Sequence, residues 1–354
     1  MKIIECIPNF SEGRNLQVID KIVMAIKSIK DVSVLHKDIG FDANRTVISF
    51  AGAPDSVLCA AIESTKIAYE NIDMRIHKGE HPRIGAVDVF PFVPLLHCDL
   101  KETIELSRTF ANQIAELLSI PVYCYEESAF FEERRKLANC RKGEYEGLKE
   151  KLKRPEWKPD FGEVKFVPSF GAMVTGARKP LLAVNFTLNT KDITIAKKMA
   201  AQIREVQKDQ ANFSREDQAG HLKSVRAIGW YMKEYGYAQV STNLTDPENV
   251  SILDVFQELN QIGQQMDVKI LGVELIGLIS IKYLLRDAFR LYDISRYQDL
   301  VQTNQSILDS KNYYEIMRID EISELLKKFT TELNFYIHGN FCLEEKIIES
   351  LLYK

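Results

Sequence analysis

The chain has 354 residues, 45% of them hydrophobic and 27% charged, with a formal net charge of −4 at pH 7. That length leaves room for two or three modest cores at about 100–200 residues per domain. The charge gives neither a nucleic-acid footprint nor a polybasic membrane surface.

The start, Met1-Lys-Ile-Ile-Glu5, lacks the apolar core of a secretory signal. No apolar run approaches the roughly 20 residues of a membrane helix, so a cytoplasmic protein is expected. Cys6, Cys59, Cys98, Cys124, Cys140 and Cys342 form no Cys-x-x-Cys pair and match no zinc-ribbon spacing. They read as free thiols, mostly buried.

In chain order, residues 2–7 are a short apolar run ended by Pro8-Asn9, a strand and turn. Residues 15–29 set Leu16, Ile19, Ile22, Val23 and Ile26 at helical spacing. Runs 32–36 and 46–51 are β-branched and separated by Gly40, Asp42 and Asn44, which predicts a long-looped hairpin. A helix follows over 55–68, with Asp55 or Ser56 as N-cap. Then come a strand in 84–93, an amphipathic helix over 103–118 and a strand at 121–125. The order is β-α-β-β-α-β, the split unit of ferredoxin-like domains, with a helix and strand appended. Residues 130–160 are charged and read as helix and connector.

The second half repeats that order. Its expected elements are strand 181–188, helix 193–207, a polar loop at 208–220, strands 224–231 and 238–244, helix 250–266, strand 268–273 and helix 277–291. The fold class is α+β in two related subdomains. The expected bounds are 1–178, 179–300 and a helical C-terminal extension 301–354, with helices at 319–333 and 343–352. The extension packs on the body or docks another protein.

In a βαββαβ unit, the loop after the first strand, the central hairpin loop and the loop entering the last strand share one edge. Here these loops hold Asn9 to Arg14, Asp38 to Arg45, and His77-Lys-Gly-Glu-His81-Pro-Arg83. Functional residues concentrate in such loops. His81 is the proton-transfer candidate, because imidazole titrates near neutrality, and Asp38 is a candidate to fix its tautomer. The alternative is that His81 only bonds a loop carbonyl. His77 to His81 also matches H-x-x-E-H, a zinc-peptidase pattern that needs a continuous helix. Gly79 and Pro82 oppose that helix. His36 and His97, beside apolar strands, read as structural, His338 sits in the appended tail, and His221, beside Lys223 and Arg226, is a candidate ligand contact. Residues 161–171 mix aromatics and glycines between the halves and suit a wall for a flat ring. Arg178 and Lys179 could hold carboxylates, or be solvated charges on a packed linker.

These residues also carry a family resemblance. Glu5-Cys-Ile-Pro-Asn-Phe-Ser-Glu-Gly-Arg14, Asn44-Arg-Thr46, Gly79-Glu-His-Pro-Arg-Ile-Gly-Ala-Val-Asp88, the stretch from Gly171 to Lys179, Ile228-Gly-Trp230 and Gln239-Val-Ser-Thr-Asn-Leu244 resemble the formiminotransferase half of formiminotransferase-cyclodeaminase, in order over about residues 1–295. The resemblance implies two ferredoxin-like subdomains with a folate-binding groove between them, and a homodimer. It implies transfer of the formimino group of N-formimino-L-glutamate to N5 of tetrahydrofolate, the co-substrate, in histidine breakdown. No metal is expected.

Matched residue by residue, His81 takes the position of the catalytic histidine and Asp38 that of its supporting aspartate. The folate-binding segment corresponds to Gly162, Phe166, Val167, Pro168, Ser169, Phe170 and Gly171. Asn9, Asn44, Arg45 and Arg83 join them as candidates for the intermediate or the substrate carboxylates, and Arg178 and Lys179 for the folate glutamates. A whole cyclodeaminase domain is not expected in the chain, so a separate cyclodeaminase is a candidate partner. A formyl donor, a non-catalytic folate-binding protein and the zinc hydrolase are the alternatives.

Overall fold

The computed structural model describes residues 2–41, 43–79, 81–205, 222–232, 235–292, 320–339 and 341–352. They fall into two compact units, Met1–Lys179 and Pro180–Lys354.

In unit 1, β1 (Ile3–Cys6) and β2 (Asn9–Phe10) continue one another across Pro8. Asn15 starts α1 (Leu16–Lys27) because its side chain accepts the free N–H groups of Gln17 and Val18. Next come β3 (Val32–Gly40), β4 (Arg45–Gly52) and α2 (Pro54–Asn71). The N-cap of α2 is Ala53, two residues before the expected Asp55, because Pro54 is preorganised for the first helical position and needs no N–H acceptor. After β5 (Val87–Leu96), Asp99 and Glu102 close a capping box on α3 (Leu100–Leu118). The unit ends with β6 (Val122–Cys124), α4 (Leu137–Arg141), α5 (Glu144–Lys151) and β7 (Met173–Ala177).

Across the sheet the strands run β3, β4, β1 with β2, β5, β7, β6. The first four positions pair antiparallel, while β5, β7 and β6 pair parallel. Phe50, Phe90, Phe92 and Phe110 fill the core with residues of α1–α3. Val89, Tyr123 and Val174 pack instead with Cys140, Leu148 and Leu152 of the 137–152 stretch. The strand β7 has no counterpart in the sequence reading. It is short, parallel and buried along its whole length, so it lacks the alternation that marks a half-exposed strand.

Unit 2 repeats the order: β8 (Leu182–Leu188), α6 (Ile193–Ile203), β9 (Val225–Met232), β10 (Tyr237–Leu244), α7 (Ile252–Gln265), β11 (Ile270–Ile276) and α8 (Ile281–Tyr292). Its sheet, β11-β8-β10-β9, is antiparallel throughout. The first four positions of unit 1 have the same relative order. The expected loop 208–220 and His221 lie outside the described residues, as do residues 293–319.

The described tail carries α9 (Asp320–Glu332), α10 (Leu343–Lys346) and α11 (Ile348–Leu352). Its Ile322, Leu326, Phe329, Leu333, Leu343 and Ile347 are part of the unit 2 core. The buried Glu349 carboxylate accepts from the Ile281 N–H at 3.0 Å and from the Ser280 hydroxyl, at the start of α8. No described helix is long and apolar enough to cross a membrane.

Candidate active site

Asn44 ties three loops of unit 1 together. Its Oδ1 accepts from the Gly13 N–H at 2.9 Å, and its Nδ2 donates to the Lys78 carbonyl at 3.0 Å. Its own carbonyl accepts from Nε2 of His77 at 2.9 Å. The residue sits at φ 46°, a left-handed conformation that asparagine tolerates better than most side chains. Gly79 lets the loops close, since a Cβ there would fall 2.1 Å from the Ala43 carbonyl oxygen. The loops from 11, 40 and 77 thus meet at one edge of the sheet.

His77 is buried in that junction. With Nε2–H donating to Asn44, its Nδ1 accepts from Nε of Arg83 at 3.3 Å. Burial, helped by the Arg83 charge, holds its pKa below the ordinary value, so the ring is neutral.

His81 is a more open ring in the same loop. Its two ring nitrogens differ in role: Nε2 accepts from Nη1 of Arg45, since a guanidinium can only donate. Nδ1 therefore carries the proton and donates to the Pro82 carbonyl at 2.8 Å. Burial first, then the Arg45 and Arg141 charges, lower its pKa to about 4. The imidazole is a neutral base whose lone pair is held by a cation. Glu80 lies outside the described residues. The described parts of 77–83 are not helical, so the two histidines do not take the one-turn spacing of the H-x-x-E-H pattern.

Arg141, in α4, has Nε 3.0 Å from Oδ2 of Asp88, a carboxylate buried at the start of β5. Oδ1 of Asp88 accepts from the Ile84 N–H at 3.0 Å, which fixes the carboxylate on the backbone entering β5. The result is two guanidiniums, Arg45 and Arg141, acting on one neutral imidazole. Sequence reasoning missed Arg141, whose partner Asp88 is 53 residues away in the chain.

Asp38 stands exposed on β3, one register step from the pair Ile39 and Thr46 that adjoins Arg45. Its charge acts on Arg45. Among the described residues the ring of His81 bonds to Arg45 and Pro82, not to Asp38. Arg83 is buried, with Nη1 at 3.0 Å from Glu144 and Nη2 at 2.7 Å from Glu146. These residues, with Lys78, Gly79 and Gly143, line an open cleft of about 570 Å³.

The 161–171 stretch lies within unit 1. The Gly171 N–H bonds the Val167 carbonyl at 2.7 Å, and Ser169 accepts from the Met74 N–H at 2.8 Å. Gly171 has φ 82°, and a Cβ there would meet the Ile84 carbonyl at 2.2 Å, so the turn fits only because this residue is glycine. Phe166 packs on Tyr145 with centroids 5.6 Å apart, and the Tyr145 hydroxyl donates to the Pro168 carbonyl at 2.6 Å. Tyr145 in turn bonds the Arg83 carbonyl through its N–H at 2.9 Å, which sets the 166–171 turn beside the histidine loop. Phe170 is fully buried, Gly162 is exposed with φ 83°, and Pro168 is exposed at the tip.

Asn9 lies in β2 with Nδ2 3.2 Å from the Ile7 carbonyl. Arg178 and Lys179 follow the far end of β7, where the Arg178 N–H bonds Phe92 rather than the start of β5. Their backbone is therefore not at the edge that carries His81.

The family model for the N-terminal subdomain of the formiminotransferase domain matches residues 3–178, and the model for the formiminotransferase domain matches 183–322. The chain belongs to the formiminotransferase family. It is 42% identical over 288 residues to the formimidoyltransferase-cyclodeaminase of Dictyostelium discoideum, covering 81% of this chain and 52% of that protein. It is 41% identical over 284 residues to the glutamate formimidoyltransferase of Streptococcus pyogenes serotype M1, covering 80% and 91%. For the glutamate formimidoyltransferase of Thermoplasma acidophilum the figures are 37% over 281 residues, 79% and 88%. This formiminotransferase-family chain spans about half the length of the cyclodeaminase-bearing relatives. The family match ends at residue 322, near the start of α9.

Proposed function

We propose that the chain is a glutamate formimidoyltransferase. It moves the formimino group of N-formimino-L-glutamate to N5 of tetrahydrofolate, giving 5-formiminotetrahydrofolate and L-glutamate, as a step of histidine degradation. Two relatives of nearly the same extent carry that name. The observation that carries the reading is the neutral His81 ring with its Nε2 lone pair held by Arg45, beside Arg141.

The chemistry follows from those groups. N5 attacks the formimino carbon and forms a tetrahedral intermediate. His81 Nε2 takes the proton that N5 loses and returns one to the glutamate nitrogen as the C–N bond breaks, so no proton is gained or lost overall. Arg45 and Arg141 grip substrate carboxylates. Once Arg45 turns to a carboxylate, Nε2 is freed, and the lost positive field raises the His81 pKa above about 4, while burial, the larger cause of the depression, remains. Substrate binding thereby switches the base on. Asp38 acts through Arg45, restraining it when the site is empty.

The turn through Phe166, Val167, Pro168 and Ser169, backed by Phe170 and Gly171, forms with Tyr145 a wall along the bound folate. Gly162 supports that turn. Asn44 positions the loops, Asn9 and Arg83 support the edge, and Arg178 and Lys179 attract the folate glutamates. The ferredoxin-like description of both subdomains, a folate groove, a cytoplasmic homodimer and a separate cyclodeaminase partner belong to the same reading.

The test is formation of 5-formiminotetrahydrofolate by the purified chain, with a formyl donor run in parallel. Turnover of the formyl donor alone would replace this reading with a formyltransferase.

A further inference from the structure

The sheet of unit 2 has an apolar face and a polar one. Leu182, Val184, Phe186 and Leu188 alternate into the core. The residues between them look the other way, where the register sets Gln239 opposite Thr187 and Glu274 opposite Asn185. Polar strand residues of an antiparallel sheet ordinarily face water. Here Thr187 and Gln239 have no exposed surface.

A segment beyond the family match lies over them. Asn334 anchors it on β11, donating from Nδ2 to the Leu271 carbonyl at 2.8 Å and accepting from the Val273 N–H at 3.2 Å. His338 then sets Nε2 2.7 Å from the Thr187 hydroxyl and 3.0 Å from Nε2 of Gln239. Its ring stacks on Tyr235, with centroids 3.7 Å apart and planes within 8°.

The fit is incomplete. Oε1 of Gln239 and Nε1 of Trp230, its cross-strand partner, are buried with no hydrogen-bond partner among the described residues. One is an acceptor and the other a donor, and leaving either unpaired costs free energy. An imidazole has too few edge atoms to serve both as well as Thr187.

We propose that this face binds a flat nitrogen heterocycle bearing donors and acceptors on one edge, and that His338 is an intramolecular stand-in that the ligand displaces. The ring stack on Tyr235 supplies the planar slot, while Gln239 and Trp230 supply the unfilled pair. Resting on the transferase reading, the ligand class is a reduced pterin. The segment 336–339, which follows the core residues Leu333 and Phe335, is then a strap that lowers apparent affinity by the fraction of molecules in which it is closed.

The experiment is equilibrium calorimetry of the full chain with 5-formyltetrahydrofolate, without formiminoglutamate. His338→Ala should bind on the order of fivefold more tightly or better. Asn334→Gly, which keeps the positive φ but removes the side-chain anchor outside the slot, should shift affinity the same way by less. Adding Gln239→Leu to His338→Ala should remove the gain. Melting curves identify folded variants, and if His338→Ala does not fold, Asn334→Gly decides.

Unchanged or weaker binding in the folded variants overturns the strap, even where turnover is normal. Tighter binding without turnover in any form sinks the transferase reading and leaves the strap standing. If no form binds the folate, both fail.

Discussion

Nη1 of Arg45 donates to Nε2 of His81 while Nδ1 of the same ring donates to the Pro82 carbonyl. This pairing makes the imidazole a neutral base whose reactive nitrogen is blocked by the group proposed to bind substrate. Arg45→Gln should move the His81 pKa up from about 4, because a charge that opposes protonation is gone. It should also reduce kcat/KM by roughly 10–100-fold through the lost charge-assisted hydrogen bond. An NMR titration of the His81 ring beside steady-state kinetics checks both. An unmoved pKa would contradict the pairing.

The same depressed pKa makes a stability prediction of fixed sign. In the unfolded chain the His81 ring takes a proton near pH 6.5, whereas in the folded chain it resists until about pH 4. Its contribution is therefore complete above pH 6.5 and is lost as pH falls from there toward 4. His77, also lowered by burial, adds to the trend with the same sign. Melting curves of His81→Gln and the parent between pH 7 and 4 should converge as pH falls. Curves that stay parallel would mean that His81 is not held neutral.

Asn44 should be a stability residue as much as a site residue. Asn44→Ala removes two side-chain hydrogen bonds and puts alanine at φ 46°. The expected loss is about 2–4 kcal/mol in urea unfolding. Asn44→Gly relieves the backbone but not the bonds, so it should fall between alanine and the parent. A neutral Asn44→Ala would show that the three loops hold together without it.

Arg141 and Asp88 separate charge from packing. Arg141→Gln alone leaves a buried carboxylate without its cation, at an expected cost of about 3 kcal/mol or more. Asp88→Asn with Arg141→Gln should recover much of that stability but not the activity, because the second guanidinium is still missing. Recovery of activity in the double variant would make Arg141 purely structural.

Much of the architecture was legible because it rests on periodicity. The helices α1, α3 and α7 carry apolar residues at helical spacing, and the βαββαβ order of both halves follows from short strands between them. The strand β7 was not legible, because burial along its whole length erases alternation. The loop cluster could be read from topology, since Asn44, His77 and His81 lie in loops that a βαββαβ unit brings to one edge. The partners within it could not. Arg83 meets Glu146 across 63 residues, and Arg141 meets Asp88 across 53, with no local pattern to announce either. The division between His77 and His81 was also hidden, because it depends on which ring Asn44 captures and which Arg45 reaches.

The most direct test of the account compares the parent chain with a folded His81→Ala variant. Each is given N-formimino-L-glutamate and tetrahydrofolate, and appearance of 5-formiminotetrahydrofolate is followed. Steady turnover by the parent and a loss of about 10²–10⁴-fold in kcat for the variant are expected. Near-normal turnover by His81→Ala, or none by the folded parent, would contradict it.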